Sequence, residues 1–299
     1  MIQGLIVGTA CAEAWCRQLQ LEAGLQFEQD HKKQKTEQKK ERLIVWRDRL
    51  DEGILQEILE AWNAHPKDCF CVVETDEAVK AAAGLGIPCI AYCNPDLPEQ
   101  DFGGINLLLE GFDEIDWKFL DNVYARESGL PVEIARTERL LIREMTIEDL
   151  DALYRIYEDS ETRRFVKGLD ENRAAEEERF RAYIRYMYGL YQFGMWVVIE
   201  NSSGALIGRA GFGIADYQEE AELDLGYLIG KCWRGRGYAC EACEAVLAYG
   251  KEVLGFSKVA AYIHLENAPS LGVIRKLGFR EMGQVEAENE RLIHFEKVL

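Results

Sequence analysis

The segment Arg234–Ala239, RGRGYA, combines two arginines with three small residues directly before a stretch with helical periodicity. Glycines let a ligand approach the backbone closely, and the first turn of a helix has N–H groups without intrahelical acceptors. Arginine charge and the helix dipole both favour an anion at this point. The segment therefore predicts a phosphate-binding turn; the alternative is a helix N-terminus whose glycines bind nothing.

Two common phosphate motifs do not fit this turn. A P-loop needs Gly-Lys-Ser/Thr, whereas Tyr238 and Ala239 follow Gly237. A dinucleotide fingerprint needs a third glycine, where this chain has Cys240. The fingerprint also follows the first strand of a βαβ unit, whereas this turn follows strands that are expected to be antiparallel. The pattern R-x-x-G-x-A, which is met by Arg234, Gly237 and Ala239, remains.

Two carboxylates precede the turn and are candidates for acid–base chemistry. Asp224 and Glu222 lie two residues apart in a strand pattern, so both side chains are expected on one face. Neighbouring carboxylates raise each other's pKa and attract a cationic amine. Either one is a candidate general base, and the alternative is a pair of solvent-facing acids.

The elements around these residues indicate an α+β domain. Two helical segments are followed by three successive strand patterns, by the turn with its helix, and by strand, helix, strand and strand. Successive strands favour antiparallel hairpins, so a mixed, mostly antiparallel sheet is expected over residues 131–299.

The first half has a different pattern. Short apolar runs alternate with helical segments, which favours a small α/β domain with a parallel sheet over residues 1–130. The strands are expected at LIVGTA, RLIVW, CFCVVE, PCIAYC and INLLLE, and the helices at ILQEILEAWN, AVKAAAGLG and DEIDWKFLDNVYARES. Gly129 and Pro131 end the last helix and predict the domain boundary.

Three segments of the second half resemble the acetyl-CoA-dependent GNAT N-acetyltransferases, within them the ribosomal-protein N-terminal (RimJ/RimL-like) branch. They are TERLLIREMTIEDLDALYRI, DLGYLIGKCWRGRGYACEA and ENAPSLGVIRKLGFREMG, and the resemblance runs from about Thr137 to the C-terminus. It implies a GNAT fold, acetyl-CoA as cosubstrate and transfer of the acetyl group to a primary amine.

The resemblance also implies which residues bind coenzyme A. The pantetheine arm is expected along the backbone of Leu225, Gly226, Tyr227, Leu228 and Ile229. The pyrophosphate is expected on the Arg234 side chain and on the turn that comprises Gly235, Arg236, Gly237, Tyr238 and Ala239. Asn267 is expected at the pantetheine and Ser270 near the sulfur, although both residue types also suit a helix cap.

The chain departs from the GNAT pattern at the general acid. Many members have a tyrosine seven residues after the asparagine, where this chain has Ile274. Ser270 is then the leading partner of the leaving thiolate, and Tyr227 is a further candidate. His264, on the preceding strand, is expected to be a packed core histidine.

The first half resembles haloacid-dehalogenase-like (HAD-like) hydrolases from about Arg42 to Glu110, and most clearly in CFCVVETDEAVKAAAGLGIPCIAYCNP. The resemblance implies a Rossmann-like fold with acidic Mg²⁺ ligands, for which only Glu74 and Asp76 are in place. No nucleophilic aspartate occurs in the first strand pattern. A degenerate, catalytically silent domain without a metal is expected.

Composition narrows the choice of partners. The net charge of −18 disfavours nucleic acid and favours a cationic acceptor. The single basic run, His31–Arg42, is expected to be a solvated helix face or loop; the alternative is a binding patch. No apolar run of about 18 residues and no signal-peptide pattern occurs, and the nine cysteines are odd in number, so a cytoplasmic protein with reduced thiols is expected.

Several points stay open at this level. Alternatives to the acetyltransferase are a non-catalytic CoA-binding or interaction protein and a bifunctional protein with residual HAD-type phosphohydrolase activity. A homodimer is an alternative to the monomer. The acceptor loops, expected around Arg163–Asp170 and Tyr217–Ala221, carry no pattern that identifies the amine.

Overall fold

The computed structural model describes residues 1–23, 42–113, 115–217, 221–287 and 290–299. The chain divides into two compact units, Met1–Leu130 and Pro131–Leu299. The basic run lies outside the described residues except for Arg42, and of the second acceptor loop only Tyr217 and Ala221 are described. No helix within the described ranges is both long enough and apolar enough to cross a bilayer.

The first unit is a five-stranded sheet in which every described pairing is parallel. The strands are β1 (Gly4–Gly8), β2 (Leu43–Arg47), β3 (Cys69–Val73), β4 (Cys89–Tyr92) and β5 (Leu108–Leu109), and the helices are α1 (Glu13–Glu22), α2 (Glu52–Trp62), α3 (Asp76–Leu85) and α4 (Trp117–Glu127). The predicted parallel sheet is confirmed. Its order, β2-β1-β3-β4-β5, is the flavodoxin-like order and not the 3-2-1-4-5-6 order of the Rossmann fold.

Helix caps and apolar strands explain why these elements form. Asp51, Thr75 and Asp116 each precede a helix and accept a hydrogen bond from a backbone N–H of its first turn. The strands β1, β3 and β4 are buried along their whole length, as expected for a parallel sheet with helices on both faces. Cys69 and Cys71 are buried in this core.

The second unit is an eight-stranded mixed sheet of order β12-β13-β11-β10-β9-β8-β7-β6. Its strands are β6 (Glu133–Arg136), β7 (Leu140–Arg143), β8 (Met195–Glu200), β9 (Leu206–Ala215), β10 (Glu222–Ile229), β11 (Lys258–His264), β12 (Arg280–Ala287) and β13 (Glu290–Val298). Its helices are α5 (Leu150–Tyr157), α6 (Ser160–Arg163), α7 (Arg173–Tyr183), α8 (Tyr238–Glu252) and α9 (Ala268–Lys276), and α7 continues as a π-helical turn, Ile184–Tyr188. The mostly antiparallel sheet is confirmed.

The pairing of β10 is unequal on its two sides. On one side it pairs with β9 from Glu222 to Ile229 without interruption. On the other side it runs parallel to β11, and the described register contains a single residue pair, Asp224 with Ala260. From Leu225 to Ile229, the edge of β10 that faces away from β9 therefore has no described residue pairing with β11.

Candidate active site in the second unit

Asp224 lies where β10 and β11 separate. Its Oδ1 atom is buried and has no hydrogen-bond partner within the described structure. Burial raises the pKa of this carboxyl to about 7, with a further contribution from negative Glu222, although the backbone N–H of Tyr262 opposes the rise. A carboxyl with a pKa near neutrality can take a proton from an amine and give it up again at physiological pH.

Glu222 is surrounded by hydrogen-bond donors instead. Tyr262 donates its hydroxyl to Oε2, and Lys258 Nζ lies 3.2 Å from Oε1. Burial acts to raise the pKa of Glu222, but these hydrogen bonds and the nearby His294 and Lys258 charges outweigh it and hold the pKa below its usual value. Glu222 is thus kept ionised, whereas Asp224 is poised to titrate.

The predicted turn is built by two glycines with left-handed backbone. Gly235 has φ of +76° and Gly237 has φ of +83°, a region that favours glycine. Gly237 caps α8 without a side-chain hydrogen bond, so the first N–H groups of the helix remain available as donors. This arrangement can hold an anion at the turn.

Arg139 lies against the turn, although sequence reasoning did not single it out. A Cβ atom placed on Gly237 would lie 3.5 Å from its Nη2 atom, and Nη1 donates to the carbonyl of Arg236 at 3.0 Å. Its Nε donates to Glu241 Oε2 at 2.7 Å, which fixes the side chain. Arg139 belongs to the segment TERLLIREM, which resembles GNAT enzymes. That resemblance is the sequence feature that could have identified it, although the segment precedes the turn by nearly a hundred residues.

Arg234 has other partners than the sequence predicts. Its Nε donates to the carbonyl of Ile229 at 3.0 Å, and Nη2 donates to the hydroxyl of Thr162. Its guanidinium also lies 3.4 Å from carboxylate oxygens of Asp159 and Glu161. In this arrangement the Arg234 side chain joins the end of β10 to α6, and its contact with a pyrophosphate stays a prediction.

Comparisons with known proteins identify relatives of this chain. A family model described as "Acetyltransferase (GNAT) domain" matches residues 139–280. Two relatives from Bacillus subtilis, both called uncharacterized N-acetyltransferases, are similar: YoaA is 30% identical over 50% of this chain and 84% of its own length, and YnaD is 31% identical over 49% and 82%. The chain belongs to the GNAT acetyltransferase family. Among solved structures, a GNAT-family acetyltransferase from Bordetella pertussis matches at TM-score 0.48 and 24% identity, over 55% of this chain and 98% of that one.

This GNAT N-acetyltransferase brings three further predicted residues together. Tyr227 donates its hydroxyl to the carbonyl of Ser270 at 2.9 Å. Asn267 caps α9 and accepts from the backbone N–H of Ser270 at 3.3 Å, so the predicted capping role is present. Burial raises the pKa of Tyr227 well above its usual value, and its proton stays on the hydroxyl at neutral pH. Ile274, where many GNAT enzymes have a tyrosine, is fully buried.

The histidines of the GNAT domain differ from expectation. His264 is only half-buried; its ring packs against Phe165 at 5.4 Å, and Nδ1 accepts from the backbone N–H of Glu266. His294, which sequence reasoning missed, is buried and its Nε2 lies 3.1 Å from Glu222 Oε2. No motif spacing could have linked His294 to Glu222, because sheet pairing alone makes them neighbours.

In the first unit, the two predicted acidic residues accept hydrogen bonds from residues of the same unit. Glu74 is buried and accepts from Asn94 Nδ2 at 2.9 Å, whereas Asp76 accepts from the backbone N–H of Phe102 at 2.7 Å. Across the described residues, the cluster with metal-ligand composition is Glu222, His294 and Glu296 in the second unit.

Proposed function

We propose that the protein transfers the acetyl group of acetyl-CoA directly to a primary amine, either a protein N-terminus or a small-molecule amine. The observation that carries this proposal is the Asp224 carboxyl, whose Oδ1 atom is buried without a hydrogen-bond partner in the described structure and whose pKa of about 7 suits a general base. Asp224 lies where the parallel strands β10 and β11 separate, next to the edge of β10 that has no described pairing with β11.

The residues around this point fit coenzyme A. The strand edge Leu225–Ile229 offers backbone donors and acceptors to a pantetheine arm, which carries amide groups. The N–H groups from Arg236 to Ala239 suit a pyrophosphate, with positive charge from Arg236 and Arg139. Bound acetyl-CoA would supply the activated thioester; everything else in the reaction falls to side chains and amides of this chain.

Asp224 is proposed to accept the proton of the incoming ammonium, because only a neutral nitrogen can attack a carbonyl. Glu222 is held ionised by Tyr262 and Lys258 and is the less suitable base. Ser270 remains the leading partner of the leaving thiolate. The hydroxyl of Tyr227 is already engaged with the Ser270 carbonyl and is proposed to position that residue.

The first unit is proposed to be a catalytically silent, degenerate HAD-like domain, and the protein is proposed to work in the cytoplasm. The alternatives are a non-catalytic CoA-binding protein and a bifunctional protein with phosphohydrolase activity. A homodimer is kept as an alternative to the monomer.

A screen of amines tests the function. The full chain is incubated with acetyl-CoA and with single peptide, aminoglycoside and aliphatic amines, and thiol release is followed together with the mass of the product. We expect an acceptor-dependent rate and a product heavier by one acetyl group. Acetyl-CoA binding without thiol release for any amine would favour the non-catalytic alternative.

A further inference from the structure

The first two turns of α8 contain two cysteines that have no part in the proposed acetyl transfer. Cys240 and Cys243 have the spacing C-x-x-C, and both thiols are free. This spacing near the start of a helix is typical of redox-active pairs, and it also occurs in metal sites. A structural metal site needs about four ligands. Among the residues that the structure describes, the two cysteines belong to no group of three or more metal-ligating side chains, which favours redox chemistry.

The two thiols differ in access. Cys240 is partly exposed, whereas Cys243 is buried. Burial raises the pKa of Cys243 well above its usual value, and the neighbouring Cys240 adds to the rise, so the two sulfurs lie within electrostatic range of each other. A disulfide from solution therefore meets Cys240 first, and Cys243 is left to react with Cys240.

Helix geometry brings the pair within reach of a disulfide only if the backbone moves. Residues i and i+3 of an α-helix have Cα atoms about 5 Å apart, inside the range of about 4.4–6.8 Å that disulfides allow. Their Cβ atoms are about 5–6 Å apart, whereas a disulfide needs about 3.5–4.5 Å. Closing the bond therefore requires the start of α8 to change shape.

The start of α8 also carries the groups that are proposed to bind the pyrophosphate. The proposed N–H donors directly precede Cys240 in the chain. Glu241, between the two cysteines, accepts from Arg139 Nε at 2.7 Å, and Arg139 Nη1 donates to the carbonyl of Arg236 at 3.0 Å. A change in the backbone at Cys240 or Glu241 would displace both the N–H donors and the arginine beside them.

We infer that Cys240 and Cys243 form a reversible disulfide that weakens the binding of acetyl-CoA. This inference rests on the proposed function, since it concerns regulation of the same cofactor site. Because such coupling is reciprocal, bound acetyl-CoA should in turn oppose formation of the disulfide. A disulfide that needs distorted backbone is reduced more easily than a relaxed one, which suits a transient, regulatory bond.

The oxidant is a low-molecular-weight disulfide, and the exchange has two steps. The Cys240 thiolate attacks one sulfur of the oxidant, which breaks its S–S bond and releases one thiolate. The Cys243 thiolate then attacks the Cys240 sulfur of the mixed disulfide and releases the second thiolate. The two cysteine protons pass to the two leaving thiolates, so two protein thiols are oxidised and one external disulfide is reduced.

Peptide mass detects the disulfide directly. The full chain is equilibrated with glutathione and glutathione disulfide at graded ratios, alkylated and digested with trypsin, which releases residues 237–251 with Cys240 and Cys243 as the cysteines of that peptide. We expect the peptide to lose two hydrogen atoms and to carry no alkyl label at oxidising ratios, and acetyl-CoA to shift the midpoint toward more oxidising ratios. Free or glutathionylated cysteines in this peptide at every ratio would overturn the inference.

Calorimetry measures the effect on the cofactor site. Acetyl-CoA is used as the probe, because the thiol of free CoA would reduce the disulfide. We expect its affinity to be about tenfold lower for the oxidised than for the reduced chain, within the usual range of coupling between two sites. A reduced chain that binds no acetyl-CoA overturns the proposed function together with the coupling, whereas equal affinities of the two forms overturn the inference alone.

Single substitutions separate the pair from other thiols. Cys240→Ser should bind acetyl-CoA equally well before and after oxidation, because no disulfide can form at the start of α8. The matched control is Cys232→Ser, which removes an exposed thiol shortly before the turn and should keep the response of the parent. Cys243→Ala should stop after the first step, with glutathione on Cys240. A response that persists in Cys240→Ser, or that is lost in Cys232→Ser, would contradict the inference.

Discussion

Asp224 and Glu222 lie two residues apart on one strand, yet their surroundings move their pKa values in opposite directions. Burial without a partner for Oδ1 raises the pKa of Asp224 to about 7, and donors from Tyr262 and Lys258 lower that of Glu222. Two carboxyl groups with separated pKa values can take different roles, one in proton transfer and one in binding a cation.

Replacing Asp224 by asparagine tests the first role. Once an acceptor is established, we expect Asp224→Asn to lower kcat about 10²-fold at neutral pH, the lower end for loss of a general base. The parent rate should rise as pH passes through about 7, where Asp224 loses its proton, and this rise should be absent in the variant. Calorimetry should show unchanged CoA affinity. Full turnover in Asp224→Asn with loss in Glu222→Gln would exchange the two assignments.

The same pair makes a prediction about stability. The folded pKa of Asp224 is raised, so ionisation costs folding free energy as pH rises above the unfolded pKa near 3.9, up to about 4 kcal/mol above pH 7. Asp224→Asn should therefore be more stable than the parent in urea unfolding, by a margin that grows between about pH 4 and pH 7 and is constant above that.

Ionisation of Glu222 is expected to have the opposite effect on folding stability. Its folded pKa is lowered, so its ionised form stabilises the fold above the unfolded pKa, and this contribution is lost as pH falls through the folded value. Glu222→Gln should be less stable than the parent at neutral pH, with the difference shrinking in acid. Equal pH dependence for both amide variants would show that the two environments do not differ.

At the scale of elements, the turn before α8 depends on backbone that glycine adopts readily. Gly237→Glu should abolish acetyl-CoA binding, because a carboxylate would fill the anion position and a side chain would strain φ of +83°. Gly204→Glu is the matched control, since Gly204 also has positive φ, at +68°, and no atom lies near a Cβ there. Equal affinity in Gly237→Glu and the parent, measured by calorimetry, would reject the turn as the cofactor site.

Much of this arrangement is predictable from sequence, because it depends on local patterns. Alternating apolar residues indicate β8, β9 and β10, and helical periodicity with a capping residue indicates α2 and α9. Periodicity is less informative where the extent of a strand depends on its pairing with a neighbouring strand. The pattern Ile105–Glu110 forms only the two-residue strand Leu108–Leu109, and β6 is a strand that the sequence pattern does not predict.

The side chains of the site are less predictable than its backbone. Glycines favour the left-handed φ values of the turn, so the backbone conformation at Gly237 follows from the sequence, whereas anion binding there stays a prediction. The partners of Arg234, the approach of Arg139 and the contact of His294 with Glu222 come from residues far apart in the chain. The π-helical turn at Ile184–Tyr188 likewise depends on burial of Tyr188, whose hydroxyl accepts from Met145 and donates to Met195.

At the scale of the whole molecule, only the second unit is matched by the GNAT family model. We expect the full chain to release no phosphate from a generic phosphomonoester with Mg²⁺, at a rate equal to the buffer blank. Phosphoryl transfer needs a positioned nucleophile and a metal, and β1 carries no acidic residue. A Mg²⁺-dependent rate that disappears in Asp76→Asn would show that the protein is bifunctional.

The single residue pair between β10 and β11 divides the eight strands into two half-sheets that meet near Asp224. A pantetheine arm bound along Leu225–Ile229 would extend the ladder, so the cosubstrate would act as a missing strand of the fold. Ligand at a hundred times its Kd would add about 2.7 kcal/mol to the free energy of unfolding. Deuterium uptake at the amides of Leu225–Ile229 that point away from β9 should then slow when CoA is added, whereas uptake at Leu140–Arg143 should not change, so amide exchange would report cofactor occupancy strand by strand.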